Sequence, residues 1–346
     1  MKSLKDIALN ITEEEYRNDG FMHYSTLATY ERGGFNCLET LFEKKESPSL
    51  VFGSAVDAII TGGYQEFNDK FMIAEFPVLS DNMLKIVNAL FESYSTVYSS
   101  LEEIPTSILS SYWIKFDGRK WKAETQAATI IKEGNEYYRL KYIAGDKIII
   151  STKLYEEVIA TVNALKESNA TRWYFAEDNP FDDIERVYQP KFKATFDGIN
   201  YSCMMDLVVV DHKNKIIYPC DLKTSSHTEW DFYESFIQWS YYIQASEYAA
   251  ILKANIENDE YFKDFEIMPY RFIVANKKTL TPLVWEWNHT FDEDDIVLEK
   301  PNGYKITLRN FKNIGKELYN YLNNKSVVPN GISLEEPNNI EKWIKK

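Results

Sequence analysis

Between residues 203 and 226 the chain reads CMMDLVVVDHKNKIIYPCDLKTSS, and this tract restricts the fold more than any other. Two runs of β-branched and apolar residues flank a polar DHKNK segment, the pattern of a β-hairpin. With Lys213-Asn214 as a two-residue loop, His212 pairs with Lys215, and counting outward sets Asp206 opposite Asp221. Directly opposed residues project to one face with Cβ atoms about 5 Å apart. Lys223, two residues beyond Asp221, shares that face. Two carboxylates and one ammonium are thus expected on one patch. Opposed carboxylates repel, and a charge at Asp206, inside an apolar run, is costly without a partner. A divalent cation relieves both problems. The alternative, in which both aspartates end their strands at the sheet rim and Lys223 neutralises them, stays open at this point.

The Asp-x-Lys triplet has little force alone, because Asp211/Lys213 and Glu43/Lys45 share its spacing. The first falls in the turn. The second falls in the charge run FEKKES, which reads as a solvated helix end.

The rest of the sequence narrows the chemistry. The chain has 346 residues, enough for one large domain or two ordinary ones. No uninterrupted apolar run reaches membrane-spanning length, and the N-terminus turns acidic before a signal-peptide core develops, so a cytoplasmic location is expected. Three cysteines without a CxxC pair disfavour a disulfide framework or an all-cysteine metal site. Four histidines without ligand spacing disfavour a His-rich zinc site. Carboxylate ligands for magnesium or manganese remain. The net charge of −14 counts against a protein that coats nucleic acid. It weighs less against an enzyme that engages it in one local groove.

Periodicity predicts two helices over residues 25–62, with Ser25 as N-cap of the first and the small residues Gly53, Ser54 and Ala55 early in the second. Residues 81–180 are mostly helical in pattern, including a helix opened by Ser151 or Thr152. Between these helices WIKFDGRKWKAETQ centres on Asp117-Gly118 and suits a turn between short strands. From 185 three antiparallel strands joined by two hairpins are expected. One long helix (EWDFYESFIQWSYYIQASEYAAILKAN), strands around YRFIVANK and LTPLVWEWN, a helix near 308–323 and a polar tail follow. This order is that of an α+β domain.

Three motifs carry a resemblance. SPSLVFGSAVDAIITG, the pair MMDLVVV and CDLKTSS, and YYIQASEYAAIL follow one another with fitting gaps over about residues 25–250. They are similar to the early helix, catalytic hairpin and following helix of the PD-(D/E)xK nuclease superfamily. The chain most resembles the phage and prophage exonuclease branch that includes exonuclease VIII (RecE-type) and RecB-like nuclease domains. The resemblance implies a restriction-endonuclease-like core, a mixed sheet with an antiparallel catalytic hairpin flanked by helices, plus a helical insertion. As one nuclease domain over 1–346, it has its core at about 20–62 and 181–325, the insertion at 63–180 and the tail at 326–346.

By the same resemblance Asp206 and Asp221 are metal-binding carboxylates, the Leu222 carbonyl is a further ligand, and Lys223 polarises the attacking water. Gln244 and Tyr248 hold DNA or brace the site. Gln238 and Tyr242 share their spacing. Six residues along one helix is about 600°, so the two pairs point about 120° apart and one faces the site; the YYIQ context favours Gln244/Tyr248. A polar stripe on an amphipathic helix fits either pair. Asp57 stands where many relatives have histidine, as a metal ligand, a mark of altered activity, or a plain solvated residue. Lys115, Arg119, Lys120 and Lys122 around Trp121 form a local basic patch that could grip a strand end through phosphates and stacking; an ordinary exposed hairpin is the alternative.

The activity implied is that of a Mg²⁺-dependent DNA exonuclease at duplex ends, with Mn²⁺ substituting, in phage recombination or end processing within a bacterial host. The implied partners are DNA, a single-strand annealing protein and further copies of the chain in a ring, with no membrane. An endonuclease of the same superfamily, or an inactive DNA-binding or virion-associated relative, are the alternatives.

Overall fold

Leu207, Val208, Val209 and Val210 are all buried, which requires a sheet covered on both faces. The computed structural model describes residues 1–42, 47–75, 77–177, 179, 183–299 and 303–323. The tail at 326–346 and the Glu43/Lys45 triplet lie outside the described residues. The first half of the chain runs α1 (Glu13–Arg17), α2 (Tyr24–Gly33), α3 (Pro48–Lys70), β1 (Phe71–Ile73), α4 (Asp81–Tyr94), α5 (Thr106–Phe116), α6 (Ala123–Ala144), β2 (Ile148–Ile150) and α7 (Thr152–Glu167). The second half runs β3 (Ile184–Tyr188), β4 (Lys191–Phe196), β5 (Ile199–Met204), β6 (Leu207–Asp211), β7 (Ile216–Thr224), α8 (Phe232–Gln238) and α9 (Tyr241–Glu257). It finishes with β8 (Glu266–Ile267), β9 (Tyr270–Ala275), β10 (Leu283–Trp287), β11 (Ile296–Glu299), β12 (Lys305–Leu308) and α10 (Phe311–Asn323).

The main sheet has the order β10-β9-β7-β6-β3, with β8 beside the start of β7. It is mixed: β7 pairs with β8 and β9 in parallel, and the other neighbours are antiparallel. The parallel step from β7 to β9 needs a crossover, and α8 and α9 lie within it. On one face Val208, Val210, Ile217, Phe272 and Val274 pack with buried residues of α2, α9 and α10. On the other Leu207, Val209, Cys220, Ile273 and Ala275 pack with those of α3 and α7. A third core joins α4, α5 and α6 through Met83, Leu90, Leu109, Trp113, Ile130 and Tyr138.

The β6–β7 register runs from Leu207 opposite Cys220 to Asp211 opposite Ile216, the pairing counted from the sequence. Continued one step, it sets Asp206 against Asp221. The connection is a four-residue turn, 212–215, in which Lys215 takes a positive φ of 56°. Asp211 closes it by accepting from the Asn214 backbone N–H at 2.9 Å and its side-chain amide at 2.7 Å.

Several expectations are corrected. Five strands rather than three fill 184–224, because β4 and β5 leave the main sheet as their own ribbon. Their turn is Asp197-Gly198, with φ of 52° and 79°, the geometry of a two-residue primed turn. The helix after β7 is broken at Ser240 (φ 59°, ψ 40°), so α8 and α9 are separate and no single helical angle relates Gln238 to Gln244. The N-cap of α2 is His23, not Ser25, since a bridge from Met22 to Tyr201 holds the chain extended until there. The expected strands around Asp117-Gly118 are the helices α5 and α6; the turn survives, but Trp113 is buried in the helical core and its indole N–H donates to the Arg119 carbonyl at 3.0 Å. Tertiary packing overrides the local strand reading here and leaves the turn in place. Ser151 does cap α7, accepting from Leu154 N at 3.2 Å. The pairs β1–β2 and β11–β12 were not foreseen.

Two positions test this packing. A Cβ on Gly315 would lie 2.2 Å from Oη and 3.0 Å from Cζ of the buried Tyr201. Gly315→Ala is therefore expected to lower stability by about 1–3 kcal/mol in urea unfolding. Glu247 on α9 is fully buried with no hydrogen-bond partner on either oxygen among the described residues, and burial pushes its carboxyl well above the usual range. Between its ordinary value of 4.5 and its raised native value, the folded state binds more protons than the unfolded one, so its contribution to stability falls as pH rises. The stability of Glu247→Met relative to the natural chain should accordingly grow with pH in that window; a constant difference from acid to neutral pH would contradict this.

Candidate functional site

The site lies at the carboxyl-terminal end of β7, where this strand outruns β6. Asp221 is 2% exposed, one residue beyond the last β6 pairing and opposite Phe272 of β9. Three groups meet its carboxylate or its face. Lys223, two residues on and therefore on the same side, brings Nζ to 2.6 Å from Oδ2. From α9, Gln244 donates Nε2–H to Oδ1 at 2.5 Å. Asp206, in the short link between β5 and β6, projects to the same face and accepts from the Leu222 backbone N–H at 2.8 Å.

The Asp206–Leu222 bond also fixes a direction. In an extended strand a residue's N–H and C=O point to the same side, as in a pair that exchanges both bonds. The Leu222 carbonyl is thus aimed at the edge where Asp206 stands.

Electrostatics couple these groups. Burial, then the charges of Asp221 and Asp57, push the Asp206 carboxyl well above the usual carboxylate range. Asp57, on α3, is pushed up to about 7 by burial, with the charges of Glu66 and Asp221 adding to the effect. Its Oδ1 is buried without a partner among the described residues, and its Oδ2 accepts from Gln189 Nε2 at 3.3 Å. Burial, the largest single influence, works against the Lys223 ammonium, but Asp221, Tyr241, Asp206 and Tyr24 together hold it well above its ordinary value. The ammonium also lies 4.6 Å from the centroid of the Tyr241 ring.

Helix α3 can approach this strand end because of Gly53. A Cβ there would stand 3.0 Å from Thr224 Oγ1. The start of α3 is set by Pro48 and by Ser47, whose Oγ accepts from Leu50 N at 3.3 Å.

The structure therefore brings Asp206, Asp221, Leu222, Lys223 and Gln244 together, with Asp57 in electrostatic range. Tyr248, one turn beyond Gln244, is buried, its ring 6.4 Å from those of Tyr24 and Tyr270, a position that braces rather than reaches outward. Tyr242 packs on Phe236 at 6.3 Å and does not take the place of Tyr248. Lys115, Arg119, Lys120, Trp121 and Lys122 sit at the tip between α5 and α6. There Arg119 pairs with Asp117 at 2.5 Å and lies beside the stacked Trp113 and Trp121 rings, at 4.9 and 4.5 Å from their centroids. Its guanidinium is largely committed to the tip itself.

Sequence reasoning missed Tyr24, Tyr241, Gln189 and Tyr270. Gln189, at a positive φ of 50°, links Asp57 to Thr61 and donates its backbone N–H to the Asp206 carbonyl. The buried Tyr270 hydroxyl has no hydrogen-bond partner among the described residues, and its phenol is pushed up by burial and by Asp221 and Asp206. Tyr241 stands beside Gln244 in the YYIQ segment, a signal that was available.

The donor set is all oxygen, which suits a hard divalent cation. Among the described residues no three His, Cys, Asp or Glu side chains form a closed metal-binding group. Asp206, Asp221 and the Leu222 carbonyl nevertheless fit an ion such as Mg²⁺, which keeps several waters and takes one or two carboxylates. The elevated carboxyl of Asp206 is what such an ion would relieve.

No protein-family model matches the chain, and no curated protein matches it. Among solved structures it matches one named "Putative exonuclease", from Eubacterium rectale, at 12% identity and a TM-score of 0.42, over 97% of this chain and 98% of that one. The functional reading therefore rests on the side chains just described. No helix among the described residues is long and apolar enough to cross a membrane.

Because an ion that binds the folded state stabilises it by mass action, Mg²⁺ or Mn²⁺ should raise the melting temperature of the natural chain. The shift should vanish in Asp221→Asn and shrink in Asp206→Asn. An equal shift in all three proteins would place the ion elsewhere.

Proposed function

We propose that the chain is a Mg²⁺-dependent deoxyribonuclease of the PD-(D/E)xK type that hydrolyses phosphodiester bonds at duplex DNA ends. The observation that carries this reading is the convergence on Asp221 of Lys223 at 2.6 Å and Gln244 at 2.5 Å, with Asp206 opposed to it across the strand pair. A surface ion pair would need neither the buried glutamine nor the second carboxylate.

When bound, Mg²⁺ supplies Lewis-acid chemistry: it neutralises phosphate charge and eases deprotonation of water. Asp206, Asp221 and the Leu222 carbonyl would hold it. Gln244 fixes the plane of the Asp221 carboxylate by tying one oxygen. Lys223 offers a cation beside the reacting phosphate, where it orients the attacking water and stabilises charge developing on the phosphoryl oxygens. The water oxygen bonds to phosphorus as the bond to the leaving sugar oxygen breaks. Asp57 and Gln189 brace the Asp206 side of the site from the opposite layer.

Mn²⁺ shares the oxygen preference of Mg²⁺ and substitutes for it in this reading. An endonuclease would use the same constellation, so the substrate form must decide. End-labelled linear duplex and covalently closed circular DNA are incubated with Mg²⁺, with chelator, and with the Lys223→Ala protein. The expected result is loss of the linear duplex alone, none with chelator, and a rate at least about 10²-fold lower for Lys223→Ala. Cutting of the closed circle would point to an endonuclease. Absence of metal-dependent cleavage on any DNA or RNA, or full activity of Lys223→Ala, would overturn the assignment.

A further inference from the structure

A row of contacts leads outward from Lys223. The Tyr241 ring beneath its ammonium has its centroid 6.3 Å from that of Tyr24. Tyr24 Oη donates to the Trp239 carbonyl at 2.9 Å, and Arg32 Nη1 donates to the same carbonyl at 2.7 Å. The Arg32 guanidinium also lies 5.6 Å from the Trp239 ring centroid. The left-handed Ser240 makes this possible: by ending α8 it frees the Trp239 carbonyl for two side-chain donors from α2.

The outer end of this row is open to solvent. Trp239 is 45% exposed, Arg32 is exposed, and among the described residues no carboxylate pairs with Arg32. In a chain with 53 acidic and 39 basic residues, a cation without an acidic partner is informative. One bond to a carbonyl leaves most of the five guanidinium donors available. An indole with a guanidinium over it is a stacking platform with a phosphate donor attached.

We propose that this surface is a single-strand nucleic-acid shelf, on which an unpaired base stacks on Trp239 while a neighbouring phosphate meets Arg32. The proposal rests on the nuclease reading for what lies at its inner end, and it adds the substrate class: a strand already parted from its complement as it approaches Lys223. Bases inside a duplex are stacked on both faces, so an unpaired base offers the indole a face that an internal paired base does not. Stacking is tolerant of sequence, so no base preference is expected.

Binding is measured in chelator, where no cleavage is needed, by fluorescence anisotropy of a labelled oligothymidylate and of a blunt duplex. The natural chain should bind the single strand more tightly. Trp239→Ala should weaken that binding about 5- to 150-fold, the range for loss of one stacked base. Trp239→Phe should restore most of it, which separates lost stacking from lost folding. Arg32→Gln should weaken binding and flatten its log–log salt dependence by about 0.7.

Equal affinity for single strand and duplex, or Trp239→Ala and Arg32→Gln proteins that bind as the natural chain does, would overturn the shelf. Binding that follows the variants in a protein that cuts nothing would keep the shelf and remove the nuclease reading. Metal-dependent cutting with unchanged binding by the variants would do the reverse.

Discussion

A carboxylate in the interior of a sheet is tolerable only where its charge is answered, and the arrangement around Asp221 follows from that requirement. Burying one unpaired carboxylate costs several kcal/mol even after the protein relaxes. Here the answer comes from two directions, Lys223 along the same strand and Gln244 from the helix on one face, while the register sets a second carboxylate, Asp206, beside them. The site and the fold are therefore one problem. The crossover that makes β7 and β9 parallel also carries α9 onto the sheet with Gln244 facing Asp221.

The compensation is incomplete. Asp206 and Asp57 both hold their protons more tightly than free carboxyls, and one oxygen of Asp57 is buried without a partner among the described residues. In the proposed nuclease reading a divalent cation would sit at this strand end and relieve these carboxyls.

What could be read from the sequence was governed by range. The β6–β7 pairing was legible because two apolar runs and a polar link fix a hairpin locally, and a hairpin count fixes which residues oppose. The turn spans four residues, yet the count is unaffected, since it depends on the sum of paired positions and not on where the turn begins. The break at Ser240 was not legible: nothing in FIQWSYYIQ forbids a continuous helix, and the cause is tertiary, the claim that Tyr24 and Arg32 make on the Trp239 carbonyl. The same holds for Gln189, whose partners Asp57 and Thr61 are more than a hundred residues away. The basic tip misled in the opposite sense, because a sound turn signal was set between helices by the burial of Trp113.

The third core, shared by α4, α5 and α6, contains no buried residue of either cluster that covers the main sheet. Its apolar positions answer to one another rather than to the geometry around Asp221. Such a segment is free to diverge: compensating changes within it need no adjustment at the strand end. Among descendants of a common ancestor this is where length and composition should drift fastest, while the β6–β7 register that sets Asp206 against Asp221 stays fixed by the sheet.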